Sequence, residues 1–292
     1  MSVLFEHRLS VAGYGTRALE VDGDGPPLLL FHGWSDSADT WRPMLDVLRR
    51  RERRAIAFDM PGFGTADPLD PTEEILPQLD RFARAAVARF AGNEPAVLAG
   101  NSLGGCAVLR AAEDERLPIA AVAPIAPAGL DMAGWFQIVE TERLLRLLLA
   151  SPFPVPSRIV RETVGLVYRR LAFAKPGAVD GSVVGAFTSH VSSRADVARI
   201  LDSGRRLRNE LSDPFRFGRI NCQVLLIWGE RDRMVFPTSS ERVLKEIPGA
   251  RFETIPGCGH CPQIEAPERT LELIEELWGG DAPRRRPVAR SE

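Results

Sequence analysis

Short runs rich in apolar residues alternate along this chain with stretches typical of amphipathic helices. The runs are Pro27–Phe31, Ala55–Phe58, Ala96–Ala99, Ile119–Ile125, Val224–Trp228 and Arg251–Ile255. Such runs predict strands buried on both faces. The helix-like stretches are Trp41–Arg50, Thr72–Ala91, Leu103–Glu115, Thr238–Glu246 and Pro267–Trp278. This alternation favours a doubly wound, mostly parallel sheet with helices on both faces.

The N-terminal segment has a different pattern. Val3–Leu9 and Thr16–Val21 alternate apolar and polar residues, and Gly13 and Gly15 lie between them. Alternation of period two around turn residues predicts an antiparallel hairpin. Together with the buried runs, the hairpin brings the predicted sheet to eight strands.

A long stretch in the middle of the chain lacks any clear buried strand. It contains the amphipathic segments Trp135–Ala150 and Arg158–Phe173. Because a structureless loop of this length is improbable in a compact domain, we predict a helical cap inserted into the α/β core. The tail has Pro and Arg but no apolar anchor, which indicates disorder. The predicted divisions are 1–127 and 221–280 for the core, 128–220 for the cap and 281–292 for the disordered tail.

Composition excludes several classes of partner. Lys and Arg total 37 and Asp and Glu 39, for a net charge of −2. With no dominant sign of charge, nothing indicates a nucleic acid or an anionic membrane as partner. Glu6 and Arg8 interrupt the N-terminus before a signal-peptide core could form, and the most apolar stretch, Pro118–Leu130, is too short to span a bilayer. We expect a cytoplasmic protein, and the sequence leaves open whether it forms a homo-oligomer.

A G-N-S-L-G motif at Gly100–Gly104 lies between a predicted buried strand and a predicted helix. In the strand–turn–helix context, G-x-S-x-G is typical of a nucleophile elbow. The turn is so tight that side chains two residues before and after the serine would collide, so glycine is required there. The motif predicts Ser102 as a nucleophile at the N-terminus of a helix, where partial positive charge favours an anion.

Two further motifs complete a family resemblance. Phe31–Trp34 reads F-H-G-W at the end of a predicted strand, and Asp59–Gly64 reads D-M-P-G-F-G after the next. Together with the elbow, these motifs resemble the α/β-hydrolase family. The resemblance implies an oxyanion hole formed by the backbone N–H groups of Trp34 and Leu103. It gives His32 a structural hydrogen-bonding role, and it makes the D-M-P-G-F-G segment a structural turn.

The resemblance also implies an acid and a base near the C-terminus. The strand ending at W-G is followed by E-R-D, so Asp232 matches the position of the family's acid, and Glu230 is interpreted as a solvated loop charge. Asp131 is the alternative acid, because some relatives carry it after the preceding strand. His260 lies in a G-x-G-H-x-x-x-x-E-x-P-E pattern like that of the family, which predicts it as the general base.

The base lies within a C-G-H-C motif, residues 258–261, which also occurs in thiol–disulfide exchange proteins. Its place near the end of a large α/β chain argues against dithiol catalysis. A milder hypothesis is that oxidation of Cys258 and Cys261 displaces His260. We expect the remaining cysteines, Cys106 and Cys222, to pack as buried small hydrophobes.

Serine at position 102 excludes the relatives that form alkyl-enzyme esters on Asp, and leaves acyl transfer through an acyl-enzyme. No cofactor motif and no metal-ligand set is present, so neither is expected. We predict a serine hydrolase of small to medium hydrophobic carboxylic esters. The alternatives are a C–C bond hydrolase of the meta-cleavage-product type, a cofactor-free haloperoxidase and a low-turnover ligand receptor. The cap aromatics could line an apolar pocket, or form the cap's own core: Trp135, Phe136, Phe153, Phe173, Phe187, Phe215 and Phe217.

Overall fold

A computed structural model describes residues 3–130, 143–151 and 153–277 of the chain. Its strands are β1 (Leu4–Val11), β2 (Tyr14–Val21), β3 (Asp24–Phe31), β4 (Arg53–Phe58), β5 (Ala96–Asn101), β6 (Ile119–Ile125), β7 (Gln223–Gly229) and β8 (Arg251–Ile255). They form one eight-stranded sheet in the order β1-β2-β4-β3-β5-β6-β7-β8. β2 is antiparallel to both β1 and β4, and all other neighbours are parallel. The predicted fold class is confirmed.

The α-helices of the described residues fall into two groups. Those packed with the sheet are α1 (Arg42–Arg50), α2 (Ile75–Phe90), α3 (Leu103–Ala112), and, after the cap, α8 (Ser240–Glu246), α9 (Pro262–Glu265) and α10 (Pro267–Glu275). Those between β6 and β7 are α4 (Arg143–Ala150), α5 (Ser157–Ala172), α6 (Gly181–Thr188) and α7 (Arg194–Glu210). Short 3₁₀ turns occur at Ala38–Trp41, Pro176–Ala178, Phe217–Arg219 and Pro237–Ser239.

Each central strand contributes to two apolar cores. In β3, Leu29 and Phe31 pack on one face of the sheet, and Leu28 and Leu30 pack on the other. Residues of α2 and α3 fill the first core, and residues of α1 and α10 fill the second. Alternate side chains of a strand point to opposite faces, so a strand covered on both sides must be apolar throughout. This explains why the sequence shows unbroken apolar runs.

The register brings the carboxyl ends of the parallel strands together. Phe31 at the end of β3 pairs with Gly100 of β5, and Asn101 pairs with Ile125 of β6. Ile125 in turn pairs with Ile227 of β7. The loops that follow β3, β5 and β7 therefore leave the sheet at one edge, where ligand sites of open α/β sheets are found.

The cap helices share a small apolar cluster of their own, which includes Leu145, Val160 and Leu201. The division at residues 128 and 220 stays a prediction. The first half of the segment Trp135–Ala150 and the predicted disordered tail lie outside the described residues.

The aromatics expected in the cap have different surroundings. Phe173 and Phe187 are buried, whereas Phe153 is 74% exposed. Phe215 and Phe217 pack into the core beneath the sheet rather than into the cap cluster. Trp135 and Phe136 lie outside the described residues.

Several element boundaries differ from those predicted, and two of them have a clear physical cause. Helix α2 begins at Ile75 rather than Thr72, because the carboxylate of Glu210 on α7 accepts the N–H groups of Ile75 and Leu76 at 2.9 and 2.7 Å. An acidic group suits a helix N-terminus, but this one comes from far along the chain. The hairpin turn consists of Ala12 and Gly13, both at positive φ, so Gly15 lies within β2.

Candidate active site

Ser102 lies at a strained turn between β5 and α3. Its φ of 53° and ψ of −111° are unusual for a residue with a side chain, and its N–H donates to the carbonyl of Ile125 at 2.9 Å. A Cβ on Gly100 would overlap the carbonyl of Gly104, and one on Gly104 would overlap the carbonyl of Phe31. The two glycines of the motif therefore permit the turn, as the sequence predicts.

Asp232 and His260 form a buried pair. The Nδ1 atom of His260 lies 2.8 Å from Oδ2 of Asp232, and the two side chains are 4% and 0% exposed. The other carboxylate oxygen accepts the N–H groups of Met234 and Val235 at 2.8 and 3.1 Å. The carboxylate is thus fixed by its own loop and oriented toward the imidazole, an arrangement that makes Nδ1 the protonated nitrogen. Asp131, the alternative acid, lies outside the described residues.

The loop that carries His260 is held from three sides. The backbone N–H of His260 donates to the carbonyl of Ala172, the last residue of α5, at 2.7 Å. The backbone carbonyl of His260 accepts from the side-chain amide of Asn101 at 2.9 Å. The carboxylate of Glu265 accepts the N–H groups of Gly259 and Ala174 at 2.6 and 3.0 Å. The imidazole is therefore positioned jointly by the core and the end of a cap helix.

Ser102 and His260 line the same cavity. Within the described residues, the Nε2 atom of His260 has no hydrogen-bond partner although it is buried, and Ser102 is half-buried. The cavity lies between the carboxyl edge of the sheet and the cap. Most of its lining is apolar, and the cap supplies a large share: Leu145, Val164, Leu171, Phe187, Val197 and Leu201.

Trp34 and Leu103, the residues expected to donate to an oxyanion, flank the serine. Leu103 is the first residue of α3, and Trp34 follows Gly33, whose Cβ position would lie 3.5 Å from Cβ of Ser102. The Trp34 indole N–H donates to the hydroxyl of Ser203 on α7 at 2.9 Å, so this side chain links the core to the cap. The role of the two backbone N–H groups stays a prediction.

His32 is buried beneath the site, in keeping with a structural role. Its Nε2 accepts the N–H of Met60 at 2.8 Å, so Nδ1 carries the proton donated to the carbonyl of Gly33 at 2.7 Å. Burial lowers the pKa of His32 to about 4. Asp59 accepts the backbone N–H groups of Ala38 and Thr65 and also forms an ion pair with Arg17 at 3.1 Å, which the sequence does not indicate.

Three residues near the site were not identified from the sequence. Asn101 is inside the G-N-S-L-G motif, but its bond to the histidine loop depends on the fold. Asp36 lines the cavity two residues after Trp34, and Tyr168 lines it from α5. Asp36 could have been noticed as a carboxyl close to F-H-G-W, whereas nothing in the sequence distinguishes Tyr168 within an amphipathic helix.

The cysteines around His260 pack in separate places. Cys258 contributes to the core on one face of the sheet, and Cys261 packs with Ala172 and Phe173 of the cap. Burial raises the pKa of Cys258 to about 11 and that of Cys261 well above its usual value, which disfavours reactive thiolates. Cys106 is buried as expected, whereas Cys222 is only half-buried.

Among the described residues, no three or more His, Cys, Asp or Glu side chains cluster in a way that could hold a metal ion. In the same part of the chain, no helix is long and apolar enough to cross a membrane.

The chain belongs to the alpha/beta hydrolase family, whose model matches residues 28–273. Among its relatives is a pimeloyl-[acyl-carrier protein] methyl ester esterase of Nitrosomonas europaea, which is 24% identical over 263 residues, 89% of this chain and 98% of that protein. A monoacylglycerol lipase of Xenopus laevis, abhd6-B, is 22% identical over 87% of this chain and 76% of its own length.

Solved structures share the fold. A membrane phospholipase A superposes with a TM-score of 0.77 at 24% identity, covering 95% of this chain and 87% of its own. The 2-hydroxy-6-oxo-6-phenylhexa-2,4-dienoate hydrolase of Rhodococcus sp. strain RHA1 superposes with a TM-score of 0.74 at 21% identity. The match covers 96% of this chain and 100% of the hydrolase. At these identities the likeness concerns the fold alone.

Proposed function

We propose that this protein is a serine hydrolase that cleaves small to medium hydrophobic carboxylic esters. The observation that carries the proposal is the 2.8 Å contact between Nδ1 of His260 and Asp232, with the opposite ring nitrogen free among the described residues in a cavity that Ser102 also lines. A histidine oriented by a carboxylate in this way can act as the base for an alcohol nucleophile without any cofactor.

In the proposed mechanism, Nε2 of His260 removes the proton from the Ser102 hydroxyl as its oxygen attacks the ester carbonyl. Asp232 holds the neutral tautomer and stabilises the imidazolium that forms. The backbone N–H groups of Trp34 and Leu103 stabilise the tetrahedral oxyanion, and each such donor is worth about 3 kcal/mol in comparable sites. The imidazolium then protonates the leaving alcohol, and water attacks the acyl-enzyme by the same route.

The preference for an apolar substrate follows from the cavity. Its lining is dominated by aliphatic and aromatic side chains, so most of the free energy of binding would come from burial of the hydrocarbon part of an ester. Two of the relatives are named as an esterase and a lipase, which agrees with ester chemistry.

The test combines labelling and turnover. We expect a fluorophosphonate probe to label Ser102, and p-nitrophenyl esters to be hydrolysed with kcat/KM at least about a thousandfold lower in Ser102→Ala. The exposed Ser212 provides a matched control, because Ser212→Ala removes the same hydroxyl at a residue that does not line the cavity. Full ester turnover by Ser102→Ala would refute the proposal. Labelling without turnover of any substrate would support a receptor instead.

A C–C bond hydrolase is the second candidate, and the likeness to the dienoate hydrolase favours it. Against it stands the absence of Lys or Arg among the described residues that line the cavity, since a dienoate carries a carboxylate. A ring-fission dienone, assayed beside the esters, separates the two candidates. Higher kcat/KM on the dienone would replace our assignment.

A further inference from the structure

The apolar cavity has a few polar lining residues besides the serine and the histidine. Three of them are Asp36 from the loop after β3, Tyr168 from α5, and Cys261 from the histidine loop. Asp36 is only 6% exposed. A buried carboxyl in an apolar cavity is costly unless its oxygens are satisfied, so its partners decide what it can do.

The partners of Asp36 leave part of its carboxyl free to bind another group. Oδ1 accepts the N–H of Ser37 at 2.8 Å, and the Thr40 hydroxyl also donates to the carboxyl. A carboxylate accepts about four hydrogen bonds, so the known donors do not exhaust it. Burial is the main cause that raises the pKa of Asp36 to about 7, and the charges of Asp39 and Asp59, which both pair with Arg17, add to it.

The described residues that line the cavity include no Lys or Arg, so none of them forms an ion pair with this carboxyl inside the cavity. The described part of the cavity therefore has acceptor capacity that a donor on a bound molecule could use, and it offers no Lys or Arg to receive a carboxylate.

Tyr168 lines the same cavity as Asp36, and ring contacts hold its side chain in place. Its ring is stacked on Phe187 with centroids 3.7 Å apart, and it meets Phe173 edge-on at 5.1 Å. The partner found for its hydroxyl within the described residues is the sulfur of Cys261 at 3.9 Å, a weak acceptor. All three residues line the same cavity, and the charge of Asp36 is among the causes that raise the pKa of both Tyr168 and Cys261.

We propose that Asp36 and Tyr168 form a polar subsite that selects esters carrying a hydrogen-bond donor, a hydroxyl or an ammonium group, on their hydrocarbon chain. The same subsite disfavours esters that carry a second carboxylate. This inference rests on the proposed ester hydrolysis and names its substrate class. Selectivity arises because buried polar groups left unpaired by a plain chain lose hydrogen bonds, and because like charges repel at short distance.

The test compares esters matched in length and leaving group. The p-nitrophenyl esters of hexanoate, 6-hydroxyhexanoate and 6-aminohexanoate, and the p-nitrophenyl monoester of adipate, differ only at the chain end. A matched set with eight-carbon chains varies the distance of that end from the ester carbonyl. At about pH 8, where Asp36 is ionised, we expect the hydroxyl or amino ester to exceed the plain ester in kcat/KM by about tenfold in one set, with the adipate ester lowest.

Variants assign the effect to the two side chains. Asp36→Asn keeps the size of the side chain and removes its charge, and we expect it to reduce the amino-to-plain ratio about tenfold and to raise the adipate-to-plain ratio. Tyr168→Phe removes only the hydroxyl, and we expect it to lower the hydroxyl-to-plain ratio. Asp46→Asn is the matched control, because Asp46 is 58% exposed on α1 and should leave all ratios unchanged.

The outcomes separate the subsite from the proposed function. Ester turnover that depends on Ser102 but ranks the matched esters identically in wild type, Asp36→Asn and Tyr168→Phe would overturn the subsite alone. Absence of turnover on all the esters would overturn the proposed function. If Asp36→Asn does not fold, a wild type that hydrolyses the adipate ester as fast as the plain ester still overturns the proposal, and loss of hydroxyl preference in Tyr168→Phe supports it.

Discussion

The orientation of the Asp232 side chain is fixed by the groups around it. One oxygen is held by backbone N–H groups of its own loop, and the other contacts the imidazole of His260. A carboxylate fixed in this way loses little conformational freedom when the imidazole becomes charged. Its contribution to turnover should therefore be far larger than that of a surface ion pair.

Replacement of Asp232 by Asn should lower kcat about a thousandfold or more with the fold intact. The amide could present an N–H to Nδ1 of His260 and stabilise the wrong tautomer. Turnover of a p-nitrophenyl ester and the melting temperature are the measurements. Glu230→Gln serves as the control, since Glu230 is exposed in the same loop and should leave kcat within about twofold. A loss of less than tenfold in Asp232→Asn would contradict the assigned role.

Asp36 should make stability depend on pH. Its pKa is raised from 3.8 to about 7 on folding, so the wild type loses stability as pH rises from about 4 through 7, while Asp36→Asn does not. The unfolding free energy of the variant relative to wild type should rise by about 2–4 kcal/mol between about pH 5 and pH 8. Urea denaturation at several pH values measures this. A difference that stays constant with pH would refute it.

At the scale of elements, the junction of β5 and α3 is the most demanding part of the fold. The strand and the helix approach so closely that Gly100 lies against the backbone of Gly104, and Gly104 lies against the end of β3. Close backbone packing of this kind tolerates no Cβ, so the constraint is local and visible in the sequence.

Gly100→Ala should destabilise the protein by about 3 kcal/mol or more and abolish ester turnover, because the added methyl group overlaps backbone atoms that cannot move away. Gly185→Ala on α6 is the matched control. No atom lies within 4 Å of its added Cβ, so the gain in helix propensity should stabilise the protein by up to about 1 kcal/mol. Urea denaturation of both variants gives the comparison. A Gly100→Ala protein of wild-type stability would contradict the steric argument.

The elements that could be predicted from the sequence are those whose signal is local. The predicted bounds of strand β6 match the observed ones, because a run of apolar residues is a local signal. The motif around Ser102 predicts the turn between β5 and α3, because the positions of its glycines depend only on near neighbours. The start of α2 was missed because its capping carboxylate, Glu210, comes from α7. Tyr168 was missed for a similar reason, since only tertiary packing distinguishes it from other residues of α5.

At the scale of the whole molecule, helix α7 joins two apolar clusters. Leu201 packs in the cap cluster and lines the cavity, whereas Leu207, two turns further on, packs in the core beneath the sheet. The same helix thus lines the cavity at one end and contributes to the main core at the other.

Leu201→Ala should enlarge the cavity and shift the preferred acyl chain toward longer esters by about two carbons, at a cost of about 2–4 kcal/mol in stability. Leu207→Ala is the control on the same helix. It should cost a similar free energy of unfolding without changing the chain-length profile, because it does not line the cavity. A series of p-nitrophenyl esters from two to twelve carbons gives the profile. Identical shifts in both variants would show that the effect is not local.

The hydrogen bond from the N–H of His260 to the carbonyl of Ala172 joins the histidine loop to the end of α5. A displacement of α5 would lengthen this bond and move the peptide that carries the imidazole. Under the proposed mechanism we therefore expect substitutions in the cap to alter turnover as well as binding.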